Sequence, residues 1–492
     1  PKGTYLISEN EPLVLTLKNT IVDLNGSTLQ INPNGLKKYS IVEILPGAEN
    51  LRLTNGEIRG DLDKHDFTEE GVHAWGHGLT VHGGRNLEID HLTITGTTGD
   101  GANSRFSGAR NREELLESII HTLYAKHFEP GGFDEKGLKA EISGLSRTIS
   151  PLDISGCGGE FEFGYSTGYL GFPFVRGRVY RACFYDSEMA LLSHQRCLQF
   201  RKIEVPAGAK FLHLELNQPE VIAEPVHSGA GRGSFIGRIS NYPGSVDVHF
   251  HQNRLIGNQR LGLGYCGGRR WLIEDNLFAE NGGVSPSYGI DLEDGYEFMQ
   301  DVVIRNNHFR DNRAGDLVIC AGSELLIEGN HFENNVGLHG RPHNYTFRNN
   351  HFTGGRVAYK TRTGAARIEN NLYRNCSISI RYDTAAVADG LNRRSGQIVA
   401  TPPIILKNET LQDVTTVTGT YIHFKNSKIK NTRFVAGEET ASINFERNEI
   451  EASSIHFETE GPPVKVDIRK NRGSLPESGP GIEGRKQTSS AP

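Results

Sequence analysis

Four acids have the spacing that could do chemistry. Asp291 and Glu293 stand two apart in Tyr288-Gly-Ile-Asp-Leu-Glu-Asp294, Asp316 follows Gly315 in Gly-Asp-Leu-Val-Ile319, and Asp100 lies in Thr98-Gly-Asp-Gly101. Residues two apart on a strand share a face, so Ile290 and Leu292 turned inward send Asp291 and Glu293 outward. The same reading turns Leu317 in and Asp316 out, directly above Asp291, with Asp100 about two coils below. Strands stacked in register lie about 4.8 Å apart, which brings neighbouring carboxylates within range of a cooperating pair. Glycosidic cleavage needs one carboxylic acid and one carboxylate across the scissile bond, and crowding keeps a proton on one of them near neutral pH. His339 continues the column, and Lys360 and Arg362 follow one position over, where they could hold an acidic sugar. Asp294, Tyr265 and Tyr288 are further substrate-binding candidates, the tyrosines with Lys360 serving as acid/base groups if the reaction is an elimination. The plainer reading makes these acids solvated surface groups or a structural divalent-cation site; no other cofactor and no metal centre is implied.

His73 and His77, in Gly71-Val-His-Ala-Trp-Gly-His-Gly78, are four apart within a charged excursion that begins at Asp61. Metal binding at that spacing wants a helix, which the glycines oppose, so they read as groove-lining or structural.

The elements that must position these groups are set by a recurring phrase: an apolar residue, two of any kind, Asn, then usually a second Asn five places on. Its first Asn falls at 253, 276, 307, 330, 350 and 371, steps of 23, 31, 23, 20 and 21 residues. A period in the twenties marks a solenoid, whose turns bury their apolar faces only against one another. Flanking alternation, as in Val302-Val-Ile304 and Leu325-Leu-Ile327, makes the units strands. The recurring Asn suits a left-handed bend and a hydrogen-bonded ladder. A leucine-rich repeat fits less well, since its Leu register is missing and the steps are uneven.

On this phrase the chain resembles the right-handed parallel β-helix of the pectate-lyase-like superfamily, which includes phage tailspikes, polysaccharide lyases, polygalacturonases and alginate epimerases. The likeness covers about two thirds of the chain. It implies an all-β, right-handed, single-stranded parallel β-helix. Tyr288, Gly289, Asp291 and Asp294 match the Tyr-Gly-Phe-Asp-Pro-His-Asp strand of alginate epimerases, but Leu292 and Glu293 stand where that family has Pro and its catalytic His. The acidic column instead resembles tailspike hydrolases and polygalacturonases. That implies a glycoside hydrolase on a bacterial surface or acidic polysaccharide, extracellular or virion-associated, and homotrimeric like tailspikes. The late apolar residues Ile404, Ile405, Val414 and Val417 supply a candidate subunit surface.

Organisation follows from where the period holds. Residues 1–104 read as N-terminal coils, 105–243 as an inserted antiparallel β-sandwich, 244–475 as the main coils, and 476–492 as a disordered or appended tail containing Ile482-Glu-Gly-Arg485. Within the insertion, Arg112 to Phe128 has helical spacing, and the run from Phe161 to Tyr185 is rich in aromatic residues. Those aromatics read first as core and second as a carbohydrate-binding face. Pro1 in place of Met suggests a trimmed start. Fifty-eight Gly against two Met and two Trp suit a turn-dense β protein, and a net charge of −6 opposes nucleic acid or anionic membrane as partner. Six cysteines without C-x-x-C spacing read as free buried thiols. Three functions remain open: the hydrolase, a lyase or C5-epimerase on uronic-acid polymers, and a non-catalytic glycan-binding adhesin.

Overall fold

The computed structural model describes residues 1–105, 119–165, 179–198, 201–217, 237–240, 244–293, 299–339, 342–361, 366–382, 404–458 and 464–479. Contacts divide them into two compact units, one formed by residues up to 105 and from 244 onward, the other by the residues between.

The first unit is a parallel β-helix. Each coil contributes a strand, a bend, a second short strand, another bend, and a third strand, as in Met299–Arg305, His308–Arg310 and Gly315–Ile319. First and second strands stack into a parallel sheet of 23 strands, and third strands into one of 14. At the bends the work is divided between two residues. The ladder Asn is not itself left-handed; the residue before it is, as at Gln252, Asp275, Asn306 and Asn349 with φ of 53–56°. That frees the Asn side chain to point inward, where its oxygen accepts the next-lower Asn's N–H. The bonds run from Asn253 through Asn276, Asn307, Asn330 and Asn350 to Asn371 at 2.9–3.0 Å. Glu409 and Ser427 then take the ladder position before Asn448 and Asn471 restore it.

Repetition also aligns the core. Phe278, Phe309, Phe332, Phe352 and Tyr373 stack with centroids 4.9–5.2 Å apart. The coils below and above the insertion are direct neighbours, since Val246–His251 pairs with Arg85–Thr95 and Leu261–Tyr265 with Asp100–Ser104. Ile404, Val414 and Val417 are buried inside this core, so they offer no surface for a homotrimer.

The second unit is antiparallel. Phe128–Pro130, Ser146–Thr148, Phe211–Leu216, Val179–Tyr185 and Leu191–Leu198 form one sheet with Leu152–Asp153 at its side; Lys202–Glu204, Glu160–Tyr165, Gly237–Ser240 and Ile119–Leu123 form another. Phe161, Phe163 and Ile239 of the second share one apolar core with Tyr180, Phe184, Leu212 and Leu214 of the first, the arrangement of a sandwich. The sequence expectation of a helix through Arg112 to Phe128 is corrected over its described part. Ile119–Leu123 is a strand, because pairing with Gly237–Ser240 outweighs local spacing, and only Ala125–His127 makes a 3₁₀ turn. Residues 112–118, and Tyr169, Phe172 and Phe174, lie outside the described residues. None of the six cysteines forms a disulfide; Cys266 and Cys320 are half-buried and the rest buried.

Candidate functional site

Asp291 projects outward from Tyr288–Leu292, while Ile290 and Leu292 enter the core. Its register neighbours are Gly264 below and Val318 above. Gly264 has no side chain, and that space is used. A Cβ there would stand 2.5 Å from Asp100 Oδ2 and 2.7 Å from Asn103 Nδ2, so the Asp100 carboxylate fills the gap one coil beneath Asp291. Arg260 Nη1 donates to both Asp100 oxygens at 2.8 and 3.0 Å, and Asn103 donates to Oδ2 at 2.6 Å. These are the charge-assisted bonds of an ion pair. Arg260 in turn lies over the Trp75 ring, 4.8 Å from its centroid, with Arg105 at 5.3 Å.

Among the described residues, Asp291 has no such partner on its own coil; Cys320 Sγ lies 4.0 Å from its Oδ1. Only 3% of it is exposed. Burial, then the charge of Glu293, and further that of Asp100, push its carboxyl up to about 7 against the pull of Arg260. A proton-holding carboxyl thus sits above a carboxylate clamped by arginine. Glu293, two residues along and exposed, completes the group.

The other predicted residues divide. Asp316 is not above Asp291, which pairs with Val318; it stands two residues earlier, opposite Gly289 in the register that pairs Tyr288 with Gly315. Its carboxylate turns into the bend instead, accepting the Asn312 amide at 3.0 Å and the backbone N–H groups of Glu333 and Asn334 at 2.7 Å each. It terminates the second Asn ladder, Asn258 to Asn281 to Asn312. Tyr265 is also corrected: it is fully buried in the core, 5.2 Å from Trp271 and edge-on, and cannot meet a glycan. Asp100 is likewise enclosed, its carboxyl held by Arg260 and Asn103.

Tyr288, His339 and Lys360 do converge. Together with Arg356, Arg381, Asn335 and Ser379 they line a cavity of about 380 Å³ next to Val318, one coil above Asp291. Arg356 and Arg381 were not singled out from sequence, because isolated outward arginines on strands look like ordinary solvated residues. Arg260 was missed as well; its signal was Gly264, whose missing side chain leaves the space that the Asp100 carboxylate paired with Arg260 occupies. Asp294 and Arg362 lie outside the described residues.

His73 and His77 part company. His73 Nδ1 lies 2.8 Å from His65 Nε2, whose Nδ1 lies 2.9 Å from Asp61, and Tyr39 donates to the same carboxylate. This is a buried brace within the Asp61 excursion. His77 belongs to the strand Trp75–Val81 and faces the site: its Nδ1 accepts the Asp100 N–H at 3.1 Å. Burial lowers its pKa to about 4, so it stays neutral there.

The family model described as the right handed beta helix region matches residues 238–388. The solenoid is a right-handed parallel β-helix. Two Bacillus subtilis (strain 168) proteins match locally. The SPbeta prophage-derived uncharacterized protein YorA is 38% identical over 119 residues, and the uncharacterized protein YclG 30% identical over 115. Each match spans 20% of this chain and 20% of the relative, so the chain covers about a fifth of the curated relatives it matches. Among solved structures, the A-module of the Azotobacter vinelandii mannuronan C-5 epimerase AlgE6 aligns at 12% identity and TM-score 0.45, over 97% of this chain and 90% of that one. The catalytic unit of a GH87 alpha-1,3-glucanase from Streptomyces thermodiastaticus aligns at 9% identity and TM-score 0.27, over 99% and 63%.

Proposed function

We propose that the chain cleaves an acidic polysaccharide as a glycoside hydrolase, with Asp291 as general acid and Glu293 as general base. The observation that carries this reading is the Asp291 carboxyl, pushed up to about 7 beside Glu293, with the Asp100–Arg260 ion pair two coils below. Two residues along a strand span roughly 6.6 Å, comparable with the separation at which an inverting pair leaves room for water. Glu293 takes a proton from that water as its oxygen attacks the anomeric carbon. The glycosidic bond breaks, and Asp291 delivers its proton to the departing oxygen. The cavity lined by Arg356, Lys360, Arg381 and His339 suits a carboxylated or otherwise anionic sugar beside the point of cleavage. The same basic cavity favours the second reading, an elimination or epimerisation on a uronic-acid polymer. The prophage origin in YorA's name fits an extracellular or virion-associated setting.

The test is a panel of capsular and uronic-acid polysaccharides, with new reducing ends and ultraviolet-absorbing unsaturated ends read in parallel. Reducing ends alone, abolished by Asp291→Asn and by Glu293→Gln, are expected. Unsaturated ends select the lyase. Binding without chain shortening across the panel selects the adhesin and ends the hydrolase reading.

A further inference from the structure

The phrase Asn-His-Phe occurs on three successive coils, at Asn307-His308-Phe309, Asn330-His331-Phe332 and Asn350-His351-Phe352. The Asn enters the ladder and the Phe joins the aromatic stack, which accounts for both. Neither accounts for the histidine between them. On neighbouring coils that outward position holds Leu277, Leu372, Thr410, Lys428 and Glu449, so the fold does not require an imidazole there.

Register stacks the three: His308 pairs with His331, and His331 with His351. Ring centroids are 4.9 Å apart for the first pair and 6.3 Å for the second. Glu333, on the coil of His331, brings Oε1 to 3.5 Å from His308 Nε2 and 3.8 Å from His331 Nε2. The ligand atoms of His308, His331 and Glu333 all lie within 4.8 Å of one another. Three ligands on a tetrahedral zinc, at about 2.0–2.1 Å each, stand roughly 3.4 Å apart, so small side-chain movements close the site. Arg310, two residues past His308 on its coil, directs its guanidinium to Glu280 at 3.7 Å.

We propose that His308, His331 and Glu333 form a surface site for a zinc-class divalent metal, with the fourth position open to water. Two imidazoles and a carboxylate select zinc and its neighbours over calcium or magnesium, which prefer all-oxygen shells. The site joins two coils of the 23-stranded sheet, whereas Asp291 lies on the 14-stranded sheet, so the proposal is independent of the hydrolase reading. A second group, Glu88, His249 and His251, also brings its ligand atoms within 4.8 Å. It is a poorer candidate. His249 already bonds Glu274 at 2.7 Å, Glu274 pairs with Arg305, and Arg52 lies 3.6 Å from Glu88, so positive charge crowds the place of the cation.

The experiment uses untagged full chain and Zn²⁺ alone, read by titration calorimetry and by the melting temperature with and without the metal. One Zn²⁺ per chain and a raised melting temperature are expected. His331→Ala and Glu333→Gln should each weaken binding at least tenfold and abolish the thermal shift, while melting like wild type in chelator. His251→Ala should change neither. No zinc binding by wild type, or binding unaffected by His331→Ala and Glu333→Gln, overturns the site, as does loss that follows His251→Ala instead.

Discussion

At the scale of the residue, Asp291 couples activity and stability through one proton. A general acid must be protonated, so turnover should decline as pH rises through about 7, the value to which burial and Glu293 push it. The stability effect has a definite sign. The folded state holds this proton more tightly than the unfolded chain, where the ordinary value is 3.8. Its favourable contribution is therefore complete below about pH 4 and is lost as pH climbs towards about 7. Asp291→Asn cannot titrate. It should match wild type in melting temperature at about pH 4 and exceed it at about pH 8, by up to ~4 kcal/mol in unfolding free energy. A melting difference that stays constant across a pH series would mean that Asp291 is not held protonated by the fold.

At the scale of the element, bend geometry decides which outward residues face each other. Tyr288 follows Asn281 by seven positions, but Gly315 follows Asn312 by only three. The coils realign by setting the Tyr288 ring over Gly315, where a Cβ would meet it at 2.4 Å. Asp316 is thereby drawn off the acidic column and into the bend. Its carboxylate accepts three hydrogen bonds on two oxygens, and an amide offers only one acceptor oxygen. Asp316→Asn should then cost about 1.5–3 kcal/mol of stability through a buried unpaired N–H, while turnover per folded molecule is retained. Abolished turnover in a variant that melts like wild type would return Asp316 to the catalytic group.

At the scale of the whole molecule, the two units have separate apolar cores. The solenoid's ladder passes directly from the coil before the insertion to the coil after it, Leu92 N–H bonding to Asn253 Oδ1 at 3.0 Å. Replacing residues 106–243 with a short flexible bridge should leave the β-helix folded, since loop closure costs little and no pairing of the solenoid is removed. Calorimetry should give two transitions for the full chain and one for the shortened chain, the remaining one at an unchanged temperature. A shortened chain that fails to melt cooperatively would show that the insertion is part of the solenoid's folding unit.

The sequence alone determined the solenoid. A local repeat of apolar residue, left-handed bend and Asn is satisfied only by stacking, so periodicity carries the fold without knowledge of any distant contact. It also determined the outward face of Asp291 and Glu293, because strand alternation is a property of the chain itself. Register was not legible, since it depends on how bends of unequal length are absorbed, and two residues of offset exchanged Asp316 for Val318 beside Asp291. Nor was the partner of Asp100. Arg260 is 160 residues away in the chain and reaches that carboxylate because the insertion leaves and returns between adjacent coils. Only the tertiary structure brings those charges together, and burial beside Glu293 raises the Asp291 carboxyl.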